Sequence, residues 1–155
     1  MAPDAEVSVH VAAPPERVYE LVADLPSMGR WSPECERCEW IGGATKAAPG
    51  AKFKGHNRIG RRSWSTTGTV AVADPGRELA WDVASVMNLP VARWRYVIDA
   101  EAGGCRVTES TEDRRGRVMH VLGRLATGVG NRPEHNRAGM ERTLQKIKAA
   151  AEADR

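Results

Sequence analysis

The stretch Arg132 to Ala153, RPEHNRAGMERTLQKIKAAAEA, constrains the fold more than any other. Pro133 suits a first helical position, where an N–H is not needed. Met140, Leu144, Ile147 and Ala151 then recur at i, i+4, i+7 and i+11, a single stripe at the helical period. The opposite face, with Glu141, Arg142, Gln145, Lys146 and Lys148, is polar. At the usual rise such a helix runs about 33 Å, enough to cross a small sheet, and its stripe must lie on something apolar. Most of what precedes it reads as strands, so the expected picture is a sheet wrapped around this helix.

EVSVHVAA alternates Val7, Val9 and Val11 with Ser8 and His10, the period of a half-buried strand. Pro14 and Pro15 end that strand and open a helix striped by Val18, Leu21, Val22 and Leu25, which stops before Pro26. A short helical turn, SMGRW, follows. ECERCEWIGG, AKFKGHNRIG, RSWSTTGTVAVAD, RELAWDVAS, VARWRYVIDAE and CRVTESTEDR read as six further strands, divided by glycine- and proline-bearing turns. Breaks this short favour an antiparallel meander and leave no room for parallel crossovers. RGRVMHVLGRLATGVGN reads as a weak helix or mobile cover, and the tail after Ala153 is expected to fray. The order gives an α+β arrangement in one domain spanning 1–155, with the helices grouped on one face of the sheet.

Eighteen Arg and five Lys are scattered among twenty acids, for a net charge of +3. A nucleic-acid-binding domain would cluster them, so nucleic acid is not an expected partner. No apolar run reaches a membrane span, and the start MAPDAEVSV has neither the basic nor the apolar region of a secretion signal. A cytoplasmic monomer or homodimer is expected. The three cysteines, Cys35, Cys38 and Cys105, then read as reduced thiols. Cys35-x-x-Cys38 lies in an expected strand, where residues three apart point to opposite faces and cannot share one ion. Neither a metal nor any other cofactor is expected. The chain also lacks P-loop, GxGxxG, GxSxG and HExxH motifs.

Taken together, VAAPPERVYELVADLPSMGRWSP, GAKFKGHNRIG, VADPGRELAW, GGCRVTES and TLQKIKAAAE make the chain similar to the START-like (SRPBCC) superfamily, the polyketide cyclase/dehydrase and lipid-transport group. The resemblance spans nearly the whole chain. It implies a helix-grip fold: a curved seven-stranded antiparallel sheet gripping the long C-terminal helix, two short helices after the first strand, and a cavity between sheet and helix. It also implies a small hydrophobic or aromatic partner, polyketide- or lipid-like, carried in that cavity. Two other functions stay open: a cyclase, aromatase or dehydratase working there by general acid/base catalysis, and an interaction module of the stress-response branch.

Within that geometry Trp94, Tyr96 and Ile98 share the cavity face of the sixth strand. Trp31, Phe53, Trp64 and Trp81, with Met119, Leu122 and Met140 from the helices, complete the expected lining. On the last strand Val107 sets the inward parity, so Cys105, Glu109 and Thr111 face the same way. A carboxyl buried there without a cation would hold its proton to high pH and suit acid/base work, with Tyr96 as its partner. The alternative is that a bulge turns Glu109 outward, or that Arg58 pairs with it. Asn57 shares the parity of Phe53 and Ile59 and can hydrogen-bond a ligand carbonyl, whereas His10, His56, His120 and His135 read as surface residues. Cyclases of the superfamily are understood to hold the polyketide oxygens with a buried arginine on the fourth strand. Here Ser63 to Ala73 contains no Arg or Lys.

Overall fold

The computed structural model describes residues 3–85 and 87–153. The strands are β1 (Ala5–Val11), β2 (Cys35–Ile41), β3 (Lys52–Ile59), β4 (Arg62–Asp74), β5 (Glu78–Ala84), β6 (Pro90–Glu101) and β7 (Gly104–Asp113). They form a seven-stranded antiparallel sheet in the order β1-β7-β6-β5-β4-β3-β2. It is a meander from β2 to β7, with β1 added beside the last strand. Hairpin turns at Gly60 and Gly76 take φ of 60° and 77°, a conformation glycine reaches without the Cβ penalty. Helix α1 (Pro15–Ala23) and a 3-10 helix (Leu25–Arg30) follow β1; α2 (Arg117–Thr127) and α3 (Arg132–Ala153) follow β7. The fraying expected after Ala153 falls outside the described residues. This is the helix-grip arrangement.

The stripe on α3 is buried as its spacing requires: Met140, Leu144, Ile147 and Ala151 are each at most 1% exposed. The helix lies chiefly over β1 and also touches α1 and β7. Thr143 adds a polar fastening, its hydroxyl donating to the Trp31 carbonyl at 3.2 Å. One end of the interior is solid core, where Val11, Val18, Leu79, Ile98, Val107 and Ile147 cluster. The outward face carries cross-strand ion pairs, among them Arg93 with Asp82 at 2.7 and 2.8 Å and Arg95 with Glu78 at 2.8 Å. Apolar residues inward and charges outward hold the register, because a one-residue slip would exchange the two faces.

Helix α2 is a formed helix, ended by Gly128 in the left-handed region, whose N–H donates to the Arg124 carbonyl. It leaves Val118, Val121 and Leu125 exposed. Arg62 ties it to the sheet by donating to the Leu125 carbonyl. Among the described residues no helix is long and apolar enough to cross a membrane.

Candidate functional site

Opposite the solid core, the sheet, α2 and the first turns of α3 enclose a cavity of about 500 Å³. Phe53, Asn57, Trp64, Trp81, Trp94, Tyr96 and Glu109 line it from the strands; Met119, Leu122 and Met140 line it from the helices. Trp31 and Ile98, expected in this lining, are not part of it. Trp31 is buried at the end of the 3-10 helix, with its carbonyl taken by Thr143 and the Arg30 guanidinium over its ring at 4.7 Å. Ile98 has the expected inward parity but sits opposite Val107 at the solid end, on a strand that α1 covers. Parity fixes which face a residue joins, not how far along the strand the open space extends.

An aromatic ladder runs along the inner face of the sheet, and Phe53, Trp81 and Tyr96 of it line the cavity. Trp40 meets Phe53 edge-on, Phe53 meets Trp81 edge-on, and Trp81 leans on Tyr96, with ring centroids 6.0, 6.0 and 5.9 Å apart. Phe53 can lie flat across β4 because its register partner is Gly68, where an added Cβ would stand 2.2 Å from the ring. Asn57 donates to the Thr66 hydroxyl at 3.3 Å.

Register explains the polar centre. Tyr96 on β6 stands directly opposite Glu109 on β7, and its hydroxyl donates to Glu109 Oε1 at 3.0 Å. Glu109 and Thr111, successive inward residues of β7, are 4% and 3% exposed. Glu109 Oε2 and Thr111 Oγ1 are buried without a hydrogen-bond partner among the described residues. Burial in this apolar setting pushes the Glu109 carboxyl up to about 8, and the bond from Tyr96 offsets only part of the rise. The same burial, with Glu109 beside it, raises the Tyr96 phenol well above its ordinary value. Arg58 takes no part, since it pairs with Glu36 at 2.6 Å. Below about pH 8, therefore, Oε1 accepts from Tyr96 and Oε2 carries a proton with no acceptor among the described residues.

The cations near the cavity are occupied. Arg132 donates to both Glu34 oxygens at 2.9 and 3.1 Å and stacks over Trp64 at 5.7 Å; Arg115 pairs with Asp113 at 2.7 Å. Both arginines line the cavity, as does His135, which the sequence suggested was a surface residue. Nothing in the local pattern marked them, because α3 begins at the cavity mouth and the segment after β7 folds back over it.

The opposite-face argument for Cys35 and Cys38 is overturned. A bulge between Cys35 and Arg37 places Cys35 opposite Asn57 and Cys38 opposite Gly55, partners two apart and hence on one face. Both thiols line the cavity, with their sulfurs 3.3 Å apart. The hydrogen bond they share lowers the Cys35 thiol and, together with burial, raises the Cys38 thiol. Among the described residues no cluster of three or more His, Cys, Asp or Glu side chains is placed to hold a metal ion.

Comparison with known proteins accords with this geometry. A search of curated proteins returns no match. Among solved structures, the Polyketide_cyc-like protein Cgl2372 from Corynebacterium glutamicum is 29% identical, with 95% of this chain and 87% of that one covered and a TM-score of 0.58. Protein CV1439 from Chromobacterium violaceum is 18% identical over 95% of both chains, with a TM-score of 0.71. The di-domain ARO/CYC StfQ from the steffimycin biosynthetic pathway is 16% identical over 96% of this chain and 50% of that one, with a TM-score of 0.70, a likeness of fold alone. Residues 2–152 match the family described as polyketide cyclase / dehydrase and lipid transport, and to that family the chain belongs.

Proposed function

We propose that the cavity binds an apolar, flat or elongated small molecule bearing at least one oxygen, polyketide-like in character, and that the protonated Glu109 carboxyl donates to that oxygen. The observation that carries this reading is the unpartnered Glu109 Oε2. A buried donor without an acceptor costs roughly 1–3 kcal/mol, and a ligand oxygen recovers it. The aromatic floor of Phe53, Trp81 and Tyr96 offers flat contact area, and Asn57 and Thr111 supply further polar contacts.

Tryptophan fluorescence tests it, because Trp64, Trp81 and Trp94 line the cavity. A hydroxyanthraquinone should quench and bind more tightly than anthracene, which has the same flat shape and no oxygen. Glu109→Leu should weaken the anthraquinone roughly tenfold, about 1.4 kcal/mol, and leave anthracene nearly unchanged. Affinity should also fall as pH rises through about 8, where the donor ionises. Equal binding of the two probes, or an unchanged affinity in the variant, contradicts the proposal.

A second reading is supported by the Tyr96 to Glu109 hydrogen bond of 3.0 Å. With its pKa near 8, Glu109 can both give and take a proton at neutral pH, as cyclisation or dehydration of a poly-β-keto chain requires. Against it stands the lack of an arginine or lysine in Ser63 to Ala73. Glu109→Gln separates the two readings: a catalyst loses turnover with little change in affinity, whereas a carrier shows no turnover to lose.

A further inference from the structure

The bulge in β2 does more than turn two cysteines onto one face. It compresses a C-x-x-C segment to the length of two partner residues, Asn57 to Gly55. Two strand steps are roughly 6.8 Å, at the upper edge of the Cα separations that disulfides span. The sulfurs already stand 3.3 Å apart, so a bond of about 2.05 Å needs them to close by little more than an ångström. Gly55 opposite contributes no side chain, and a Cβ there would lie 3.7 Å from Cys38 Sγ. The thiols therefore fill the space that a larger partner residue would take. Both face the cavity, which reaches the surface beside the exposed Met87 and Leu122. A small oxidant entering that mouth has a path to them.

We propose that Cys35 and Cys38 are a dithiol site in the cavity wall, which a small hydroperoxide oxidises to an intramolecular disulfide, with Cys35 attacking and Cys38 resolving. The Cys35 thiolate attacks one peroxide oxygen; the S–O bond forms, the O–O bond breaks, and the departing alkoxide or hydroxide takes a proton to leave as alcohol or water. Cys38, as thiolate, then attacks the Cys35 sulfur of the sulfenic acid. The S–S bond forms, and hydroxide leaves and takes up the proton lost by Cys38. In sum, two thiols and one hydroperoxide give one disulfide, one alcohol (or water) and one water. The division of roles follows from the hydrogen bond shared by the two sulfurs 3.3 Å apart, which favours the thiolate at Cys35 and keeps the proton at Cys38. Cys105, fully buried and outside the lining, has no such neighbour and serves as an internal control.

The test uses the whole protein, reduced, freed of reductant, exposed to hydrogen peroxide and blocked with N-ethylmaleimide under denaturing conditions. The expected product has lost two hydrogens and carries a single maleimide, on Cys105. Trypsin cuts after Arg37, so the disulfide should hold together two peptides that dithiothreitol separates. In Cys38→Ser, whose hydroxyl keeps a donor beside Cys35, dimedone should capture a sulfenic acid at Cys35 faster than it captures Cys38 in Cys35→Ser. Maleimide on all three cysteines after peroxide overturns the proposal. So does sulfinic acid at Cys35 or Cys38 without a disulfide, or a disulfide formed only with Cys105 or between chains. Equal or reversed dimedone labelling overturns the assignment of roles.

Discussion

Two walls of one cavity bury polar groups in different ways. On the β6–β7 wall, Tyr96 donates to one oxygen of Glu109, and the other oxygen is left without a partner. On the β2–β3 wall, Cys35 and Cys38 face each other at 3.3 Å, and each sulfur has the other as its neighbour. The thiol pair is satisfied within the protein, Cys35 also reaching the Arg37 carbonyl at 3.5 Å, and is cheap to bury, since a neutral thiol behaves much like a small apolar group. The carboxyl is open, and its burial is costly whenever it is charged. The comparison teaches that a polar group is expensive to bury when its hydrogen-bond set is incomplete and cheap when the set is filled within the protein.

The largest effect should come from loosening the helix that covers the sheet. Leu144→Ala or Ile147→Ala, on the stripe that α3 buries, should each cost about 2–5 kcal/mol in urea unfolding. A loss of only a few tenths at both positions would break the helix-grip account.

Next in size is Glu109→Gln, which acts on the open wall alone. The folded-state pKa of about 8 lies above the ordinary 4.5, so the native protein binds the proton more tightly than the unfolded chain. The ionisation of Glu109 therefore costs nothing below the unfolded value, subtracts stability as pH rises between the two, and is most costly above about 8. The amide removes that penalty, and the variant should exceed the parent by a few kcal/mol at pH 8 yet match it near pH 4. A difference independent of pH would contradict the assignment.

Tyr96→Phe should be smaller, about 1 kcal/mol for one hydrogen bond, and should push the Glu109 carboxyl higher still, because the bond that favours its charge is gone. Smallest in energy is Cys38→Ala. It removes the donor beside Cys35 and should move Cys35 alkylation to higher pH, while leaving the Glu109 titration where it was. If either change alters the other wall, the two pairs are coupled and the comparison fails.

The sequence made the β6–β7 wall readable, and on the β2–β3 wall it marked Phe53 and Asn57 but not the cysteine pair. Cys105, Val107, Glu109 and Thr111 keep strict alternation, and β7 runs without irregularity against both neighbours, so parity alone turned Glu109 inward. The α3 stripe was equally legible, because one face of a long helix must be covered. In β2 a single extra residue reverses parity, and ECERCEW contains no glycine or proline to announce the bulge. Ile98 faces inward as its parity requires but lies at the solid end, and Trp31 is buried at the end of the 3-10 helix. Their depth depends on where α1 and the 3-10 helix settle, which no local pattern encodes. Arg115, Arg132 and His135 reach the cavity through the same kind of long-range packing.

Glu109 is a neutral acid facing an apolar cavity, and its own titration tests that most directly. Carbon-detected NMR of the Glu109 carboxyl, followed from pH 3 to 10 in the unliganded protein, should show a midpoint near 8. A midpoint at the ordinary carboxylate value near 4.5 would mean a solvated or ion-paired side chain, and would contradict both the donor to a ligand oxygen and the acid/base role.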